Sequence, residues 1–414
     1  MLLLRSLLVI SAAYFLYLFI WLIGLGSLAW LKTHAHQQDL TVRRTHELFL
    51  LMPALNEHAI IQASVTSELA QLHLLPATIK PHLVVIDDAS DDGTGACLAQ
   101  LQDTMLTVIH RHRPQARLGK GAALNQAFRM IQTKFAPAPQ SIYGVLDADA
   151  FMSAQDLQLV VHNFEMRSVD LIQTSVGMSN AKANWLTRAQ NFEFFANNAL
   201  IQTIRNLTHT AISSGNGQFM TQTYLDHVTW GNSLLEDCEF TIRGFLLGYR
   251  TYFLRQAVVY QQAIDKVRPL LTQRTRWCQG SLQCLQRYFT PIIKSKNIRN
   301  LQKIDLLMML CVPIMGVVLI VSNLSAFLVQ IGLTFSDHYY LVLLILGLCA
   351  LIFWSYMMWI YNQTAHKKHS ELSLVAFVSF NLILAVVPFR SIFRTVLRRE
   401  DWVKTTHKVY AKIN

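Results

Sequence analysis

Hydrophobic and polar positions divide the 414-residue chain into three regimes. From Ser6 to Leu31 (SLLVISAAYFLYLFIWLIGLGSLAWL) no residue is charged, and a helix needs about 20 such residues to span the hydrocarbon core of a bilayer. A cleavable signal peptide has an apolar region of only about 7–15 residues, so this run predicts an uncleaved anchor. Towards the other end, Ile304–Thr334, Tyr339–Tyr361 and Leu372–Phe389 are further apolar runs long enough to cross or nearly so. The stretch between, from about Lys32 to Asn300, is mixed and reads as one globular domain.

Within that middle region the period changes repeatedly. LFLLMPAL (48–55) is an apolar run closed by Asn56 and Glu57, residues 60–75 have helix-forming composition, and HLVVIDDASDDGT (82–94) is a β-branched run ending in acids and glycine. Strand, helix, strand at this spacing is a βαβ unit with a right-handed parallel crossover. The pattern continues with a strand at 107–112, a helix at 121–131, a strand at 141–150 that again ends in acids, and a further strand at 170–176. The expected fold is an open α/β, mostly parallel sheet, whose strand C-termini carry the ligand site.

Composition and charge narrow the class. Apolar residues make up 52% of the chain, and the net charge is +11. Many of the basic residues flank apolar runs: Lys32, Arg43 and Arg44, Lys294, Lys296 and Arg299, Lys367 and Lys368, and the tail from Arg390 onward. Juxtamembrane clusters of this kind mark the cytoplasmic face and anionic lipid, so the charge calls for membrane lipids and no nucleic-acid partner. The six cysteines have no CxxC spacing and read as neither a disulfide framework nor a zinc site, which fits a reducing cytosol.

Several short motifs carry chemistry. Asp147 and Asp149, one residue apart at a strand end, are placed to share one hard cation, Mg2+ or Mn2+. Asp87 and Asp88 form a second acidic strand end, whose following acids serve equally well as a capped turn. Arg117, Gly119, Lys120 and Gly121 form a basic, glycine-flanked loop suited to phosphate, although an ordinary surface loop has the same composition. Glu236 and Asp237 open a helical pattern, where an acid serves as a helix-dipole partner or as a general base. Ser214 and Gly215, in SSGNG, would let an acceptor approach the backbone. In QRTRW, Arg274 and Arg276 are suited to clamp a diphosphate and Trp277 to offer an aromatic platform. A snorkelling membrane-interface cluster is the bland reading of QRTRW, and the company of the other motifs argues against it.

The ordered set PALNE, VVIDDASDDGT, RLGKGAALN, LDADA, SGNG, LLEDCEF and QRTRW resembles the family 2 membrane glycosyltransferases, which include cellulose, hyaluronan and poly-N-acetylglucosamine synthases. The layout of membrane runs resembles that of the bacterial poly-N-acetylglucosamine synthases. The resemblance implies a GT-A fold, a UDP-sugar donor, a divalent cation and inversion to a β-linkage. Carried over, Pro53, Asn56, Glu57 and Asp88 line the uridine pocket, and Lys120 and Asp147 sit near the nucleotide. Asp149 binds the metal, Asp237 with its neighbour Glu236 supplies the base, and Gln273, Arg274, Arg276 and Trp277 hold diphosphate and acceptor. The sequence departs from the family pattern at Leu235, where a Thr is common, and at Ala89, where the turn usually has glycine.

The expected organisation is an anchor at 1–31, a cytosolic GT-A domain at 32–300, transmembrane or interface helices at 301–397 and a basic cytosolic tail at 398–414, in a multi-pass protein of the cell membrane. The parity of crossings against the basic tail predicts that 372–397 lies along the interface or re-enters. Three functions compete: a processive polysaccharide synthase acting on a growing glycan, with room for a small accessory membrane subunit; transfer of one sugar to a lipid acceptor; and a transporter with a nucleotide-binding domain. The last is weakest, because the apolar runs show no charge pair or broken-helix repeat.

Overall fold

The computed structural model describes residues 21–34, 40–334, 340–365 and 374–398. Most of the N-terminal anchor reading and the tail beyond Arg398 therefore lie outside the described residues, as do Tyr339, Lys367 and Lys368.

Eight strands form one sheet: β1 (His46–Ala54), β2 (Ile79–Asp87), β3 (Leu106–His110), β4 (Ile142–Val145), β5 (Phe151–Met152), β6 (Leu171–Met178), β7 (Gln218–Thr221) and β8 (Thr251–Gln261), in the order β3-β2-β1-β4-β7-β6-β8-β5. The predicted βαβ unit is present, with β1 and β2 parallel from His46–Ile79 to Ala54–Asp87 and the Ile61–Leu72 helix between them. Leu48, Leu50 and Met52 of β1 enter one core with Leu83 and Val85, and the alternate residues Phe49 and Leu51 enter another with Val84 and Ile86. Burial on both faces explains why β1 reads as a continuous apolar run rather than an alternating one.

The sheet is mixed where a mostly parallel one was expected. β7 pairs antiparallel with both β4 and β6, and β5 pairs antiparallel with β8. β7 is only Gln218–Thr221, too short to show a period, and its direction is set by the turn of the SSGNG loop. β4 and β6 still point the same way, so the acids after β4 and the end of β8 meet at one edge.

The first of the C-terminal apolar runs is bent. Ile304–Thr334 is not one straight element: Asn300–Leu310 and the first turns of Val312–Thr334 meet at 65°. Pro313 has no amide hydrogen to give to the preceding turn, which favours the break. Leu306 and Leu310 are buried with Ile242, Phe245 and Tyr288, so the first arm packs on the globular unit. Among the described residues, Val375–Val396 is long and apolar enough to cross a membrane, and the bent pair would qualify only if taken as one span. The end of the first apolar run also packs inward: Trp30 and Ala29 share a core with Phe192, Phe195, Leu200, Met357 and Ile360.

Candidate active site

The loop after β4 places the DxD pair. Asp147 and Asp149 are both partly exposed, whereas Ala148 between them is buried. Asp147 receives Lys120 Nζ at 2.5 Å and its amide donates to Asn216 Oδ1 at 3.2 Å; Asp149 Oδ2 receives the Gln262 amide at 2.8 Å. Two hard carboxylates at a strand end fit Mg2+ or Mn2+. Among the described residues no group of three His, Cys, Asp or Glu comes together.

Lys120 starts the Lys120–Phe135 helix and ties three motifs together. Besides Asp147, its ammonium donates to the Gly215 carbonyl at 2.7 Å. Burial works against its charge, but Asp147, Glu236 and Asp237 outweigh this and leave its pKa above the usual lysine value. Gly215 has φ +75°, and a Cβ there would lie 3.0 Å from Asp237 Oδ2. This position needs glycine both for its left-handed backbone and for the close approach of the carboxylate.

Asp237 lies in the first turn of the Glu236–Leu247 helix and accepts the Cys238 amide at 2.7 Å. Burial and the adjacent Glu236 push its pKa up to about 7, although the Cys238 amide, Lys120 and Arg276 pull it back. A carboxyl held above its usual range lies nearer to neutral pH than an ordinary aspartate. Ser213 Oγ donates to the Asp237 carbonyl at 2.9 Å and thereby fixes SSGNG against the start of this helix.

QRTRW lies within the Val267–Lys294 helix, and its residues divide between two faces. Arg276 faces Asp237 electrostatically and makes no ion pair among the described residues. Arg274 instead closes on Glu193 at 2.6 Å and lies 4.3 Å over the Trp277 ring. Gly280 lets this helix reach the residues just before the Glu236–Leu247 helix: a Cβ there would lie 2.7 Å from the Leu235 amide nitrogen. Gln273 is half-buried on the same helix.

The expected uridine pocket is a hydrogen-bonded turn. Asn56 (φ +54°) and Asp91 bond each other twice, at 2.7 and 3.0 Å, and the buried Glu57 gives its amide to Thr94 Oγ1 at 2.8 Å. The carboxylate of buried Asp88 accepts from Arg111 Nη1 and from the Arg117 amide at 2.9 Å. Pro53 is next to last in β1, partly exposed. Ser214 is exposed, with its amide given to Gln173 Oε1 at 2.8 Å.

Four residues here were missed by sequence reasoning. Arg111 follows β3 and Glu193 lies in the π-helical segment Glu193–Asn198, neither within a recognised motif. Asn216 and Glu239 were inside quoted motifs but were given no role. Glu239 is fully buried and receives the Ser233 amide, Arg243, Arg287 and Tyr288. Burial acts against its charge, yet these donors, led by Tyr288, hold its pKa down to about 2. Through Arg287 and Tyr288 it locks the Asp237 helix to the QRTRW helix.

The match to known proteins agrees with this geometry. The family model for glycosyl transferase family group 2 matches residues 144–365, and that for glycosyl transferase family 2 matches residues 49–228. The chain belongs to the family 2 group of glycosyl transferases. It is 30% identical over 251 residues to the beta-monoglucosyldiacylglycerol synthase of Trichormus variabilis, covering 60% of this chain and 51% of that protein. It is 23% identical over 266 residues to the poly-beta-1,6-N-acetyl-D-glucosamine synthase of Staphylococcus aureus, covering 63% and 60% respectively. The chain thus spans about half the length of the first of these curated relatives and three-fifths of the second. Among solved structures it is similar to the mannosyltransferase PcManGT of Pyrobaculum calidifontis in complex with GDP-Man and Mn2+, with TM-score 0.61, 16% identity, and coverage of 96% of this chain and 100% of that one. That likeness shows a shared GT-A-like fold.

Proposed function

We propose that the chain is an inverting, membrane-associated transferase that moves a hexose from a UDP-sugar, UDP-GlcNAc or UDP-Glc, onto a growing β-linked glycan on the cytosolic face. The observation that carries this is the meeting of Asp237, Gly215, Lys120 and Asp147 in one cleft, with Arg276 facing the same carboxylate. Asp237 takes the proton of the acceptor hydroxyl as that oxygen bonds to the anomeric carbon. The bond from that carbon to the diphosphate breaks on the opposite face, and UDP departs. Lys120 and Arg276 stabilise the charge that grows on the leaving group. Asp147 and Asp149 would hold a divalent cation, which supplies Lewis-acid stabilisation of the diphosphate when bound.

A second reading, one transfer to a lipid acceptor, is favoured by the 30% identical relative, a glycolipid synthase. The test is to offer the purified chain a panel of UDP-sugars with lipid and glycan acceptors, and to record UDP release and product mass together. Polymer formation in step with UDP release is expected; a product of one added sugar selects the lipid reading. No UDP release from any donor would overturn both.

A further inference from the structure

A second recess lies at the opposite end of the sheet from the DxD pair. It has a volume of about 440 Å3 and lies where β6 and β8 begin, whereas Asp147 follows the end of β4, which runs in the same direction as β6.

Two arginines and a histidine lie on its lining. Arg167 lies 4.1 Å over the Tyr252 ring and donates through Nε to Asn163 at 2.9 Å, which leaves its terminal nitrogens aimed elsewhere. Arg250 is exposed; Asp170 accepts its backbone amide at 2.9 Å. Neither guanidinium makes an ion pair among the described residues. His209 completes the group: its Nδ1 is buried without a hydrogen-bond partner, and its backbone is held at φ +57°. Burial, then the nearby Arg250 and Arg299, push its pKa down, which favours the neutral ring beside these guanidinium groups. An anion in the recess would pair with the guanidinium groups of Arg167 and Arg250 through charge-assisted hydrogen bonds.

Position identifies the source of the anion. Ala29 lines the recess and lies two residues before the end of the apolar run Ser6–Leu31, so the recess sits at the level where that run ends. Basic pockets beside membrane segments at this depth take lipid head groups.

We propose that the recess formed by Arg167, His209 and Arg250 binds a phosphate group, supplied by the head group of an anionic phospholipid. The phosphate chemistry stands on the lining alone; the choice of a lipid rests on the run at 6–31 being a membrane anchor.

The test uses the full chain in neutral detergent micelles with UDP present in excess, so that phosphate binding at the donor site is suppressed. Thermal unfolding is followed while inorganic phosphate, or phosphatidylglycerol mixed into the micelles, is titrated against chloride of equal ionic strength. A saturable rise in midpoint is expected, with the apparent Kd weakened about tenfold in Arg250→Gln, the loss of one charge-assisted bond. His209→Asn, which tolerates the same backbone, should weaken binding as well. A response to phosphatidylglycerol at far lower concentration than to free phosphate supports the lipid source, and equal responses keep the site but remove the lipid. A midpoint that follows chloride, or titrations unchanged in both variants, would overturn the site.

Discussion

Glu193 and Arg274 form a partly buried ion pair at 2.6 Å, 81 residues apart in sequence, joining a π-helical segment to the QRTRW helix. Burial raises the pKa of Glu193, and Arg274 opposes that rise. The pair and the Trp277 stack hold the guanidinium in one orientation, which makes Glu193 a positioning residue. π-Helical turns recur at functional sites, and this one brings Glu193 within reach of Arg274.

Glu193→Gln keeps the shape and removes the charge. The expected result is a kcat about tenfold lower with donor KM changed by less than threefold, because freeing Arg274 would loosen the QRTRW helix that carries Arg276 towards the departing diphosphate. Arg274→Lys should match it, since an ammonium lacks the planar fork. A normal kcat in Glu193→Gln, measured with saturating donor, would remove the positioning role.

Asp237 sets a pH dependence. With its carboxyl pushed up to about 7, the rate should rise from pH 5 to 8 with an apparent pKa near that value, shared with Glu236 as an acidic pair. Asp237→Asn should lower turnover by roughly 10²–10⁴ with donor binding retained. The sign for stability is the reverse of the usual carboxylate. A raised folded pKa means the fold binds the proton more tightly, so stability is lost as pH rises from about 4 to 7. Asp237→Asn should therefore melt higher than the parent at pH 8, and calorimetry should show the difference fading by about pH 4.

Asp149 should control metal-dependent donor binding. Calorimetric titration of UDP with Mn2+ or Mg2+ should show tight binding that Asp149→Ala reduces to the weak, metal-independent level seen in chelator. Full turnover in excess chelator would contradict the metal reading.

Glu68 predicts a second, purely structural pH effect. It is fully buried in the Ile61–Leu72 helix, accepts the Met152 amide at 3.1 Å, and burial raises its pKa to about 8. Its folded pKa lies above the unfolded one, so stability falls as pH rises towards 8. Glu68→Gln keeps the acceptor and should stabilise the fold at pH 9 by on the order of 1–3 kcal/mol, with little change at pH 5. Equal denaturant midpoints for the two proteins at pH 9 would show that the carboxyl is accommodated in its charged form.

The parts of this protein that local pattern determined are those whose signal is contained in a few consecutive residues. β1 and β2 read directly as buried parallel strands, the acids at Asp87 and Asp147 as strand-end groups, and Glu236–Asp237 as a helix start, because period, β-branching and turn chemistry act over less than ten residues. The motif order also placed Asp147, Lys120, Gly215 and Asp237 in one family's site before any distance was known. What tertiary structure alone decided is which distant side chains meet. β7 is too short for a period and takes its antiparallel direction from the loop before it; the run at 304–334 bends by 65° because its first arm is buried against Phe245 and Tyr288. The partnerships of Glu193 with Arg274, Asp88 with Arg111 and Glu239 with Arg287 join separate elements, and no local pattern encodes them. A charge announces its chemistry in sequence, but its partner is chosen by packing.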